Sequence, residues 1–175
     1  MAGAKKQTIF IIGGARSGKS FFALKEAAKT KGKKAYIATG EALDEEMSVR
    51  IEKHKKQRGT DWDTFEEPLR IAHVIKKIRG KYKAIVIDCL TLWLSNMIHS
   101  NLETDSEVEN LISSLRSGYR ASRIYIVSNE VGMGIVPDNE LARRFRDLAG
   151  ILNREIAEVS DEVYLMTAGI ALKIK

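Results

Sequence analysis

Eight consecutive residues carry the most chemistry in this chain. Gly13-Gly14-Ala15-Arg16-Ser17-Gly18-Lys19-Ser20 fits G-x-x-x-x-G-K-[ST] at every fixed position. A loop of this composition wraps backbone N–H groups around nucleotide phosphates, with Lys19 reaching the β- and γ-phosphates and the Ser20 hydroxyl holding Mg²⁺. A second candidate is His54. On a helical reading Arg50 lies one turn before it and Arg58 one turn after it. Two guanidiniums push an imidazole toward its neutral, nucleophilic form and could also bind a phosphate. The spacing allows two readings: a nucleophile that attacks an α-phosphate and carries a nucleotidyl group, or an ordinary surface or packing histidine. His73 and His99 have no such company and read as structural or exposed.

These groups need a scaffold, and the chain alternates strand and helix signals throughout. Thr8 to Ile12 is a β-branched strand entering the glycine loop, and Ser20 to Thr30 reads as a helix. Ala35 to Ala38 is a short strand opening into Thr39-Gly40. Asp44 caps an expected helix running to about Arg58 and stopping at Gly59. Pro68 is expected to start another helix, ending near Gly80. Ala84 to Ile87 is a buried strand ending in Asp88. Thr104 to Glu107 reads as a capping box for a helix bearing Val108, Leu111, Ile112 and Leu115. Ile124 to Val127 is a strand leading into Ser128-Asn129-Glu130. After the loop Val131 to Pro137, Asp138 is expected to cap a long helix with a buried stripe of Leu141, Phe145, Leu148, Leu152, Ile156 and Val159. Val163 to Met166 and Ile170 to Ile174 flank Ala168-Gly169 as a terminal hairpin. The expected fold is a single α/β domain over residues 1–175, a mostly parallel sheet with helices on both faces, preceded by a loose tail at 1–7.

Ligands of such sheets sit at the carboxyl ends of the strands, so Thr39-Gly40, Asp88 and Ser128-Asn129-Glu130 are candidate site residues. Asp88 ends an apolar run as a Walker B acid does and could hold Mg²⁺ through water; the alternative is a helix cap for the segment from Thr91. Glu130 is either a site acid or an ordinary loop acid.

The charge of +6 and the lysine clusters fit either an enzyme for polyanionic nucleotides or a nucleic-acid binder, or simply solvated helix faces. No aromatic residues interleave with the basic ones, as a base-stacking platform requires. Cys89 is the only cysteine, which excludes an intramolecular disulfide and a cysteine metal cage and points to a cytoplasmic setting. No apolar run approaches the ~20 residues of a membrane span, and the first residues lack a signal peptide's apolar core.

The whole chain resembles the bifunctional adenosylcobinamide kinase/adenosylcobinamide-phosphate guanylyltransferases of cobalamin biosynthesis. The resemblance runs through the glycine loop, Tyr36-Ile37-Ala38-Thr39, and Arg50-Ile51 with His54, Arg58 and Trp62. It continues through Asp88-Cys89-Leu90-Thr91-Leu92-Trp93-Leu94-Ser95-Asn96 and Ser128-Asn129-Glu130-Val131-Gly132-Met133-Gly134-Ile135-Val136-Pro137. Leu141 to Asp147, Asp161 to Tyr164 and Gly169 to Lys175 complete it. The glycine loop is shared by many families, whereas the N-E-V-G-M-G-I-V-P stretch with the histidine segment is far more specific. The resemblance implies a RecA-like P-loop NTPase core assembled as a homotrimer, with adenosylcobinamide, its phosphate, GTP and ATP as substrates. It implies that His54 becomes guanylylated. It also implies guanine-nucleotide contacts at Gly13, Gly14, Ala15, Arg16, Ser17, Gly18, Lys19 and Ser20, at Ala38, Thr39 and Gly40, at Lys55, Lys56, Gln57 and Arg58, and at Glu66 and Asp88. Gly59 stands where many members have proline. A P-loop kinase without nucleotidyl transfer, a nucleic-acid-stimulated RecA-like ATPase and a nucleotide sensor are the competing classes. The first leaves His54 a bystander, the second lacks its stacking residues, and the third leaves the Arg50-His54-Arg58 stripe unexplained.

Overall fold

The computed structural model describes residues 7–41, 45, 49, 58–78, 80–117 and 122–175. Among them a sheet of seven strands runs in the order β3-β2-β4-β5-β1-β6-β7. The strands are β1 (Gln7–Gly13), β2 (Lys34–Ala38), β3 (Trp62–Glu66), β4 (Ala84–Asp88), β5 (Arg123–Asn129), β6 (Glu162–Thr167) and β7 (Ile170–Lys173). Every pairing is parallel except that of β6 with β7, the expected terminal hairpin.

The central strands are apolar on both sides because both faces are covered. Helix α1 (Lys19–Ala28) lies on one face, over Ile9, Ile11, Tyr36, Val86, Tyr125 and Val127. On the other face Phe10, Ile37, Ile85, Ile87, Ile124 and Ile126 meet α2 (Ile71–Lys77), α3 (Leu90–His99), α4 (Thr104–Arg116) and α5 (Glu140–Val159). Trp93 of α3 is fully buried there and donates its indole N–H to the Leu69 carbonyl at 2.6 Å.

Several local expectations need correction. Trp62–Glu66 is a strand that no apolar run announced; as an edge strand it keeps Asp63 and Glu66 exposed. Its entry is tied to β2 by the Lys34–Asp61 ion pair. Pro68 does not begin a helix. Glu67 Oε1 instead accepts the N–H groups of Leu69 and Arg70 at 3.0 and 2.8 Å, and the helix starts at Ile71. Thr104 is not a cap, since α4 is entered from Glu103 without a side-chain capping bond. Glu107 is buried and accepts from Arg70 Nη1 at 2.9 Å. The cap of α5 is Asn139 rather than Asp138, with Oδ1 accepting from the Ala142 N–H at 2.7 Å. Leu141, placed in the buried stripe of α5 by its spacing, is exposed, because the stripe meets the sheet only further along. The expected helix from Asp44 to Arg58 falls largely outside the described residues.

Candidate active site

The strand register sets out the site. Glu66, Ala38 and Asp88 align across β3, β2 and β4, while Gly13 aligns with Asn129 across β1 and β5. All these residues lie at the carboxyl ends of parallel strands. Because β5 separates β4 from β1, Asp88 sits two strand spacings, about 10 Å, from the strand that feeds the glycine loop.

The glycine loop has three positions with positive φ, Gly13 at 156°, Arg16 at 56° and Gly18 at 93°. Gly18 is the N-cap of α1 and makes no side-chain capping bond, so the first N–H groups of the helix are directed at the loop's concave side. Gly13 is obligatory for another reason: a Cβ there would stand 2.3 Å from the Met166 carbonyl oxygen. The hairpin also supports the loop from behind, where the Gly169 N–H donates to the Ser17 carbonyl at 3.1 Å. Lys19 is buried and folds its ammonium back on the loop, donating to the Gly14 carbonyl at 2.6 Å. Helix N-terminus, backbone donors and lysine together form an anion cradle.

Beside the cradle the ends of β2 and β4 are stitched together. The Thr39 hydroxyl donates to the Cys89 carbonyl at 2.8 Å and accepts the Cys89 N–H at 2.7 Å. The Thr39 N–H donates to the Asp88 carbonyl at 3.1 Å. Asn96 of α3 donates to the carbonyls of Thr39 and Pro68 at 2.7 and 3.2 Å. Thr39 is therefore fully buried and its hydroxyl is committed to the backbone that carries Asp88. Asp88 does not cap α3, whose N-cap is Cys89. Its Oδ2 instead accepts the Tyr36 hydroxyl at 2.8 Å.

Tyr36 is the residue that sequence reasoning missed as a site component. It reads as one more apolar strand position, and its partner lies 52 residues away. Burial, then the Asp88 charge, hold its phenol well above the ordinary tyrosine value, so it stays protonated and donates to Asp88. The Arg58 guanidinium stacks over the same ring, 3.9 Å from its centroid, and donates to the Thr64 hydroxyl at 3.2 Å. Arg58, Gly59, Trp62, Thr64 and Glu66 line a cleft of 560 Å³ that runs along the edge strand β3. Among the sequence-predicted residues, the glycine loop, Ala38, Thr39, Gly40, Glu66 and Asp88 thus lie at the carboxyl end of the sheet, with Arg58 over the Tyr36 ring. His54, Arg50, Lys55, Lys56 and Gln57 lie outside the described residues.

Glu130 follows β5 directly. Its N–H donates to the Gly13 carbonyl at 3.0 Å and its Oε1 accepts the Gly132 N–H at 2.5 Å. The other titratable candidates are turned away or silent. His73 and His99 are exposed. Burial pushes the Cys89 thiol up from its ordinary value, which keeps it a neutral, inert thiol against Thr91 Oγ1 at 2.8 Å. A buried polar chain backs the site: Asn129 donates to Thr91 Oγ1 at 2.8 Å, and Asn153 donates to the Asn129 carbonyl at 3.1 Å.

Strand order, glycine loop and strand-end acid define a P-loop nucleoside triphosphatase of RecA-like build. In agreement, the crystal structure of the RadB recombinase superposes on 93% of this chain and 74% of its own with a TM-score of 0.54, at 14% identity, a likeness of fold alone. The chain belongs to the cobinamide kinase/cobinamide phosphate guanyltransferase family, whose model matches residues 9–174. The bifunctional adenosylcobalamin biosynthesis protein CobP of Pseudomonas aeruginosa is 42% identical over 167 residues, covering 94% of this chain and 95% of that protein. The bifunctional adenosylcobalamin biosynthesis protein CobU of Salmonella typhimurium is 38% identical, covering 95% of this chain and 99% of that protein. The protein of the same name from Escherichia coli is 34% identical over a similar span.

Proposed function

We propose that this chain is a two-step transferase of cobalamin biosynthesis. In the first step the hydroxyl of the aminopropanol arm of adenosylcobinamide attacks the γ-phosphorus of a nucleoside triphosphate, and the nucleoside diphosphate leaves. In the second, an imidazole nitrogen of His54 attacks the α-phosphorus of GTP and pyrophosphate leaves. The phosphate of adenosylcobinamide phosphate then attacks the GMP–histidine, forming adenosylcobinamide-GDP and restoring the imidazole. The observation that carries this reading is the anion cradle of Gly13 to Ser20 in a chain matched by the family from residue 9 to residue 174. Inert Cys89 removes the only thiol from contention as the nucleophile.

Lys19 has the reach and charge to neutralise the triphosphate in both steps. Ser20, in the first turn of α1, and the half-buried Asp88 offer a hydroxyl and a carboxylate, the oxygen donors that suit Mg²⁺. Bound there, the ion would neutralise phosphate charge. Tyr36 would orient the Asp88 carboxylate toward it. Arg58 and Glu66, which line the cleft beside β3, take the rest of the nucleotide in this reading, together with Lys55, Lys56 and Gln57. The active assembly is a homotrimer in the cytoplasm. No helix among the described residues is long and apolar enough to cross a membrane.

The test is incubation with α-labelled GTP and Mg²⁺, followed by denaturation and peptide mapping. The expected product is an acid-labile, base-stable GMP adduct on His54. His54→Ala should abolish the adduct and guanylyl transfer while sparing much of the kinase step. An adduct on another residue, or guanylyl transfer with inversion at phosphorus, would overturn the covalent route.

A further inference from the structure

The loop after β5, Val131 to Pro137, has no part in the phosphate chemistry of the glycine loop. Val131 to Pro137 follows β5 and is joined to the glycine loop through the Glu130 N–H to Gly13 carbonyl bond at 3.0 Å. It should be polar if it were an ordinary solvent loop. Instead Met133 is 82% exposed, Ile135 97% and Val136 58%, and the neighbouring Leu141 at the start of α5 is 57% exposed. Glycines at 132 and 134 flank Met133, and Ile135 stands beyond, so these side chains project rather than pack. The exposed Leu141 also lines an apolar recess of 240 Å³, together with Ser95, Ile98, His99, Asn139, Ala142 and Phe145. Exposed apolar surface of this kind marks a binding site.

We infer that this loop and recess form the platform for the corrin macrocycle of the acceptor, an inference that rests on the proposed function. The geometry limits the occupant. The acceptor hydroxyl must reach the terminal phosphate held over Gly13 to Ser20, so the bulk of the acceptor rests on a surface bordering that loop. On the β5 side the bordering surface is this apolar segment, continuous with the cradle through Glu130. A corrin ring offers broad apolar faces and a rim of amide arms. Met133, Ile135 and Val136 match the faces. At the recess His99 Nδ1 is 2.7 Å from the Ser95 carbonyl and donates to it, which leaves Nε2 as an acceptor for an amide N–H.

The experiment compares wild type with Ile135→Ser and Met133→Ser. Both positions are exposed, so the fold does not depend on them. Equilibrium dialysis measures adenosylcobinamide binding, α-labelled GTP measures adduct formation without any corrinoid, and sedimentation measures assembly. Each substitution should weaken cobinamide binding about tenfold, the weight of one buried apolar side chain. Adduct formation and oligomeric state should be unchanged, and Ile135→Leu should restore binding. Unchanged cobinamide affinity overturns the inference and leaves the proposed function standing. Dissociation of the assembly with unchanged affinity of the resulting protomer also overturns it, because the segment is then a subunit contact. Weakened cobinamide binding in a protein that forms no GMP adduct even as wild type would support the platform while refuting the covalent route.

Discussion

Tyr36→Phe removes one oxygen from the centre of the site and leaves the ring in place under Arg58. The lost contact is the hydrogen bond to Asp88 Oδ2 at 2.8 Å, donated by a side chain that is 3% exposed. A hydrogen bond to a charged acceptor contributes about 1.5–3 kcal/mol. Asp88 is only half-buried, so water recovers part of this, and the expected loss at pH 7 is about 1–2 kcal/mol. For a chain of this length each kcal/mol corresponds to about 2–4 °C in Tm. The pH dependence makes the test specific. The native phenol is held protonated well above 10.0, whereas the unfolded one ionises near that value. The contribution of Tyr36 is therefore complete below about pH 10 and declines above it, as the unfolded chain sheds a proton that the native state keeps. By pH 11 the wild type should have lost on the order of 1 kcal/mol from this residue, and the variant none. The raised phenols of Tyr82, Tyr125 and Tyr164 are common to both proteins and cancel in the difference. Urea unfolding at pH 7 and pH 11 should thus show a gap between wild type and Tyr36→Phe that closes or reverses. A gap of equal size at both pH values would refute the argument, as would a variant more stable than wild type at pH 7.

Gly13→Ala should cost about 3 kcal/mol and raise the Kd for GTP, because the new methyl meets a backbone carbonyl oxygen rather than a side chain that can move. Wild-type urea midpoint and affinity would contradict the close approach to β6. Lys19→Ala should lower both phosphoryl and guanylyl transfer by ~10³ or more while the urea midpoint stays near wild type; full activity in either half-reaction would remove the lysine from that step. Asn139→Ala should destabilise by about 1 kcal/mol through loss of the α5 cap. Asp138→Ala should be close to neutral, and the reverse ranking would restore Asp138 as the cap.

What the sequence determined by itself was local in character. The glycine loop was legible because a cradle of backbone N–H groups needs those glycines and that lysine in consecutive positions, whatever surrounds them. The central strands were legible because burial on both faces demands unbroken apolar runs, and the terminal hairpin because Ala168-Gly169 sits between two of them. The family could be read from stretches such as Ser128 to Pro137, although their physical role could not. Only the tertiary structure decided relations across the sheet. The edge strand β3 escaped notice because an exposed strand carries no apolar signature, and its order arises from pairing with β2. Cap positions at Asn139 and Glu103 were set by where the packed helix could begin rather than by which polar residue stood nearest. Leu141 obeyed helical spacing yet faces solvent, because periodicity reports which side of a helix is apolar and not how far along the sheet reaches. The bond from Tyr36 to Asp88 joins residues 52 apart, and no spacing rule reaches that far. It exists because β2 and β4 are neighbours in register, which sends both side chains to the same face of the sheet.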